Sequence, residues 1–178
     1  MDPQTLVWLL GRATGLAAYA ALCISIVSGL ALRTSVLDFL AKNRALRSLH
    51  DFTVWLWIPL GAAHVVTLLL DQTARLEIID LVVPFQTDYG QLAIGLGTIS
   101  LDLVVVIVLT SWFRRRMNDS LWRWIHRSSY IAFLVLFFHA YLAGTDFDSP
   151  VISSISWSAA GGLALLALSR IFFGRLAE

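Results

Sequence analysis

Five stretches of this chain are apolar for long enough to cross a lipid bilayer, and that leaves little choice of fold. They run over Leu6–Leu32, His50–Leu70, Gly90–Phe113, Leu121–Leu142 and Val151–Phe173. Inside lipid no water is available to satisfy backbone N–H and C=O groups, so each stretch is expected to be a helix. The expected fold class is therefore an all-α membrane protein, a single domain over 1–178 built as a bundle of five transmembrane helices. No polar or Pro/Gly-rich linker is long enough to separate two domains. Composition agrees: 58% of the 178 residues are hydrophobic and 14% charged, where a soluble domain carries about a quarter charged residues.

The rest of the composition is mainly exclusive. The net charge of +1 is spread over short loops, so no nucleic-acid partner is expected and membrane lipid is the expected surroundings. Cys23 is the only cysteine. This excludes a disulfide framework, a cysteine-based metal site and the C-x-x-C-H attachment of a c-type haem. The first apolar stretch exceeds a signal-peptide core and has no basic segment before it, so it reads as a retained anchor helix.

Charges between the stretches alternate in sign. The first connection has Arg33, Lys42, Arg44 and Arg47 against Asp38, and the second has Asp71, Glu77, Asp80 and Asp88 against Arg75. The third has Arg114, Arg115, Arg116 and Arg123 against Asp119; the fourth has only Asp146 and Asp148; the tail has Arg170 and Arg175 against Glu178. Basic loops stay on the cytoplasmic side, which places the N-terminus outside and the C-terminus inside. Val36–Leu46 is expected to form a short helix on the inner surface, and Leu76–Phe85 an apolar lid on the outer one.

The four histidines fall on two alternate stretches, His50 and His64 on the second, His126 and His139 on the fourth. Separations of 14 and 13 residues correspond to rises of about 21 and 19.5 Å on a helix. Both helices run from inside to outside, so His50 and His126 share the inner depth and His64 and His139 the outer depth. Imidazoles at matched depths suit the axial coordination of two stacked haem irons, His50 with His126 and His64 with His139. Two redox centres in series would divide a hydrocarbon core about 30 Å thick into short electron steps. A single membrane histidine is as well explained by packing, but four at matched depths are not. The spacings differ in rotation: 14 residues turn about −40° around the axis and 13 about −140°. The fourth helix is therefore expected to be distorted, or its two ligands to approach from different sides.

These features resemble the ferric reductase-like transmembrane domain family, shared by NADPH oxidases and metalloreductases, whose haem ligands sit at the same two spacings. The segment from Leu49-His50 through His64-Val65 to Leu70-Asp71 is similar to the family's first ligand helix, with Trp55 where NADPH oxidases also carry tryptophan. His139 through Asp146, and Gly11 through Gly15, resemble stand-alone bacterial members. The resemblance implies two haem b groups, a bacterial cytoplasmic membrane location, and an oxidoreductase or oxidoreductase subunit that passes electrons from inside to outside. The family's phenylalanine between the haems falls here on Ala132, with Phe133 beside it. No FAD- or NAD(P)H-binding domain is expected after the last stretch, and Gly95-Leu-Gly97, a fragment of a dinucleotide fingerprint, lies inside an apolar stretch where small residues permit close helix contact. The electron donor is therefore expected to be a separate flavoprotein or a quinol on the cytoplasmic side. The outer acceptor is dioxygen, a ferric chelate or a periplasmic protein. A quinol-oxidising cytochrome b and a haem-free transporter moving metal or protons are the alternatives.

Other residues carry more than one reading. Arg12, just inside the outer end of the first stretch, pairs with an outer haem propionate or snorkels to headgroups. Arg47, Arg123 and Arg127 flank the inner histidines and suit inner propionates, although the positive-inside rule also accounts for them. Trp55 and Phe133 are candidates for haem packing, whereas Trp57, Phe137 and Phe138 read as ordinary packing. Asp102, near the middle of the third stretch, is expected to make a structural hydrogen bond rather than relay a proton. Trp8, Trp112, Trp122, Trp124 and Tyr141 read as an interfacial belt.

Overall fold

A computed structural model of the chain describes residues 2–32 and 42–173. Among these it is helical without strands: α1 (Pro3–Ala31), α2 (Asn43–Leu70), α3 (Gln91–Trp112), α4 (Asp119–Arg127), α5 (Ser129–Ala143) and α6 (Pro150–Phe173). Four helices, Pro3–Ala31, Asn43–Leu70, Gln91–Trp112 and Pro150–Ser169, are long and apolar enough to cross a membrane. The chain is thus a multi-pass membrane protein. The expected inner-surface helix at Val36–Leu46 falls largely outside the described residues, and from Asn43 onward it is the first turn of α2.

The chain divides into two compact units. The first comprises Met1–Leu70 with Ser154–Glu178. Its α1 starts on an Asp2 cap, whose side chain accepts from the N–H groups of Gln4 and Thr5 at 3.1 and 3.2 Å. Pro3 follows at the position where a missing N–H costs nothing. The buried face of α1, including Gly11, Leu22, Ser25 and Leu30, packs antiparallel against α2. Pro59 lies inside α2, where it cannot donate to the carbonyl of Trp55.

The second unit is Asp71–Ser153. Gly90, at φ 51°, opens α3 in a left-handed conformation that a side chain would resist. Before it, residues 76–85 do have structure of their own. Ile78–Leu81 form a 3-10 turn in which Asp80 Oδ2 accepts from the Glu77 N–H at 2.8 Å. The Thr98 hydroxyl of α3 donates to the Asp80 carbonyl at 2.7 Å, so the segment is tied to α3. Leu76 is buried there, while Ile78, Ile79 and Val82 are exposed.

The expected fourth span, Leu121–Leu142, is two helices meeting at Ser128. The distortion demanded by the 13-residue histidine spacing is therefore present, and it falls just after His126. Asn118 starts α4 by accepting from the Ser120 N–H at 2.8 Å and the Leu121 N–H at 3.4 Å. Asn118→Ala should cost about 0.5–2 kcal/mol, read as a lower thermal midpoint of the detergent-solubilised protein with its helix content at low temperature unchanged.

Candidate functional site

On α2 the two histidines point at α1 in the same way. His50 Nδ1 lies 2.8 Å from the Ser25 carbonyl oxygen, with the Ser25 hydroxyl 3.3 Å away. His64 Nδ1 lies 2.8 Å from the Gly11 carbonyl oxygen. A carbonyl can only accept, so in each ring Nδ1 carries the proton and donates. Nε2 is then the unprotonated nitrogen, the tautomer in which imidazole binds a metal. His50 and His64 are 14 residues apart, as are Ser25 and Gly11 on the antiparallel helix, so one contact is repeated at two depths. The repeat extends to the threonines three residues on: Thr53 Oγ1 donates to the His50 carbonyl at 3.0 Å and Thr67 Oγ1 to the His64 carbonyl at 2.7 Å.

The second unit makes the contact once more. His139 Nδ1, on α5, lies 2.7 Å from the Ala93 carbonyl oxygen of α3. His126, on α4, is held in another way: its ring stacks on Trp122, with centroids 5.0 Å apart and planes at 23°. Trp122 also receives the Arg114 guanidinium at 4.1 Å and donates Nε1–H to the Ser111 hydroxyl at 3.4 Å. Trp122, read in the sequence as part of the interfacial belt, is half-buried and supports a histidine. The signal for this was its place four residues before His126, on the same helix face.

Glycines make room for three of the imidazoles. A Cβ on Gly15 would stand 2.7 Å from His64 Nδ1, and one on Gly97 2.7 Å from His139 Nδ1. On Gly29 it would lie 3.3 Å from His50 Cε1. Gly97 was expected to permit close helix contact, and what it admits is the His139 ring; Gly95 faces the Phe85 ring.

The remaining candidates are dispersed. The Arg12 guanidinium lies 4.2 Å from the centroid of the Trp8 ring, one turn nearer the N-terminus. Arg47 and Arg127 are exposed, Arg127 5.6 Å from the Trp124 ring. Trp55 is 73% exposed, whereas Phe133 is buried at 6% and Ala132 at 2%. Phe137 is buried among Phe138 and Tyr141, as its packing role requires. Asp102 is half-buried, and its side chain makes no hydrogen bond or ion pair with another described residue, so the expected structural bond is not made there.

Among the described residues no three His, Cys, Asp or Glu side chains are grouped to hold a metal ion. The histidines instead stand singly, three of them set in orientation by backbone carbonyls and His126 by the Trp122 ring. That donor set fits the axial positions of a haem, which brings its own four equatorial nitrogens.

The family model described as the ferric reductase-like transmembrane component matches residues 14–137, well over half of the chain. No curated protein and no solved structure matches it.

Proposed function

We infer that this chain, which belongs to the ferric reductase-like transmembrane family, is a di-haem b-type protein that carries electrons across the membrane. The observation that supports this best is the shared posture of His50, His64 and His139. Each donates Nδ1–H to a carbonyl of a neighbouring helix, which fixes Nε2 as the unprotonated nitrogen. A histidine engaged only in packing has no need of one tautomer repeated three times.

His50 and His126 are assigned to an inner haem and His64 and His139 to an outer one, by their matched depths along the chain. When bound, the two haems supply one-electron carriers in series through a core about 30 Å thick. The protein's part is to fix His50, His64 and His139 in one neutral tautomer and to orient His126 by stacking, so that two imidazoles would hold each haem iron and favour outer-sphere transfer. Arg12 is assigned to the outer propionates and Arg47 and Arg127 to the inner ones, because anionic groups at the bundle ends need cations. Trp55 and Phe133 are assigned to packing against the haem faces.

The five-span reading counts α4 and α5 as one crossing and puts the N-terminus outside, following the charge alternation. In this orientation the donor is a cytoplasmic-side flavoprotein or quinol, and the acceptor lies outside. The protein should purify coloured and give ~2 non-covalent haems per chain in a pyridine haemochrome assay, one for each histidine pair. One haem or none per chain would overturn the di-haem reading.

A further inference from the structure

The three imidazole contacts share a feature that lies on the accepting helix. The carbonyls belong to Gly11, Ser25 and Ala93, and the residue four places later is glycine each time: Gly15, Gly29 and Gly97. In an α-helix the carbonyl of residue i already accepts from the N–H of residue i+4. The Cβ at i+4 tilts towards the helix N-terminus and so hangs over that carbonyl. Without a Cβ, the second lone pair of the oxygen is open to a ring arriving from the side. The position on α3 that corresponds to the inner depth is built differently. There Ser111, four residues after Ile107, turns its own hydroxyl onto the Ile107 carbonyl at 2.7 Å, and Trp122 carries His126.

We propose that Gly15, Gly29 and Gly97 are positioning residues for haem ligation, each opening a backbone carbonyl to one imidazole so that its tautomer and ring plane are set before the haem binds. The proposal rests on the bis-imidazole reading above. It distinguishes these glycines from Gly61, Gly161 and Gly162, where an added Cβ meets nothing within 4 Å. It also ranks them. At Gly15 and Gly97 the Cβ would be driven into Nδ1 itself, and both serve the histidines assigned to the outer haem. At Gly29 the approach of 3.3 Å asks only a small shift of His50.

The test uses the full chain, purified in detergent with its haem. Haem content, the low-spin ferric signals in electron paramagnetic resonance and the midpoint potentials are measured for Gly15→Ala, Gly97→Ala, Gly29→Ala and Gly161→Ala. Gly15→Ala and Gly97→Ala should alter or remove the same one of the two signals and shift the same potential, leaving the other haem as in the parent. Gly29→Ala should move the other signal, and by less. Gly161→Ala should match the parent in every readout. In a His64→Ala background, Gly15→Ala should change nothing further, because its ring is gone. A helix-packing role alone would lower stability without selecting one signal. A di-haem parent whose glycine variants keep both signals, or lose both together, overturns the proposal and leaves the bis-imidazole reading standing. A haem-free parent overturns that reading before any variant is made.

Discussion

Alanine at His50 and alanine at His126 should remove the same haem, taking the content from ~2 to ~1 per chain while the other haem keeps its spectrum. The reason is depth. His64 lies about 21 Å farther along α2 than His50, and His139 lies on α5, beyond the break that separates it from His126 on α4, so neither should be disturbed by a lost ring at the inner level. His64→Ala and His139→Ala should deplete the second spectral component instead, leaving the first reducible from its own side. Every one of the four variants should lose transmembrane transfer to background, since a single remaining centre leaves a gap of most of the hydrocarbon core. Each ring removed also leaves a partner behind: the Ser25, Gly11 and Ala93 carbonyls for three of the histidines, the Trp122 face for His126. A carbonyl already bonded within its helix tolerates that loss, so helix content and detergent monodispersity should stay at parent levels. If His50→Ala and His64→Ala deplete the same component, the stacked arrangement is wrong.

The spans were legible because lipid imposes one requirement, apolarity over a fixed length, and apolarity is written in the side chains. Leu6–Leu32 and Gly90–Phe113 fall within a few residues of α1 and α3. The expected start at His50 missed the first two turns of α2, because Asn43–Leu49 carries Arg44, Arg47 and Ser48 and is helical without being apolar. The break at Ser128 was foreshadowed by the histidines, because a 13-residue spacing is incompatible with a straight helix presenting both rings alike; it also falls where α4, with Asp119, Arg123 and Arg127, gives way to the apolar α5. The ligand-supporting contacts were harder to see. Three of them end on backbone carbonyls, which every residue has, so the accepting residues Ser25, Gly11 and Ala93 carry no distinctive side chain. What the sequence did contain was the 14-residue offset between Gly15 and Gly29, equal to that between His50 and His64. That correspondence has meaning only once α1 and α2 are known to be antiparallel neighbours.

Cysteines placed at Asn43 and Asn118 should react with a membrane-impermeant maleimide only after the cell is opened, while cysteines at Gln72 and Asp146 should react fully from outside. A Cys23→Ala background keeps the only native thiol out of the measurement. The expectation follows from charge. The connections at Asn43 and Asn118 hold the Lys42, Arg44, Arg47 group and the Arg114–Arg116, Arg123 group, whereas those at Gln72 and Asp146 are dominated by carboxylates. Short basic loops are retained on the cytoplasmic side, and acidic ones contribute little to orientation. Arg114, Arg115 and Arg116, the strongest of these groups, are exposed. The alternation is consistent only if α4 and α5 cross the membrane together, because a crossing by α3 alone would leave residues 117–149 and the start of α6 on the same side as Asn118. Labelling at Asp146 therefore tests the fifth span as well as the orientation. Protection of Asp146 together with Asn118 would reduce the bundle to four spans and remove the common depth axis on which His126 is paired with His50. Labelling of all four sites in the opposite sense would keep the five spans and the haem pairing but reverse the direction, placing the donor where the acceptor is now assigned.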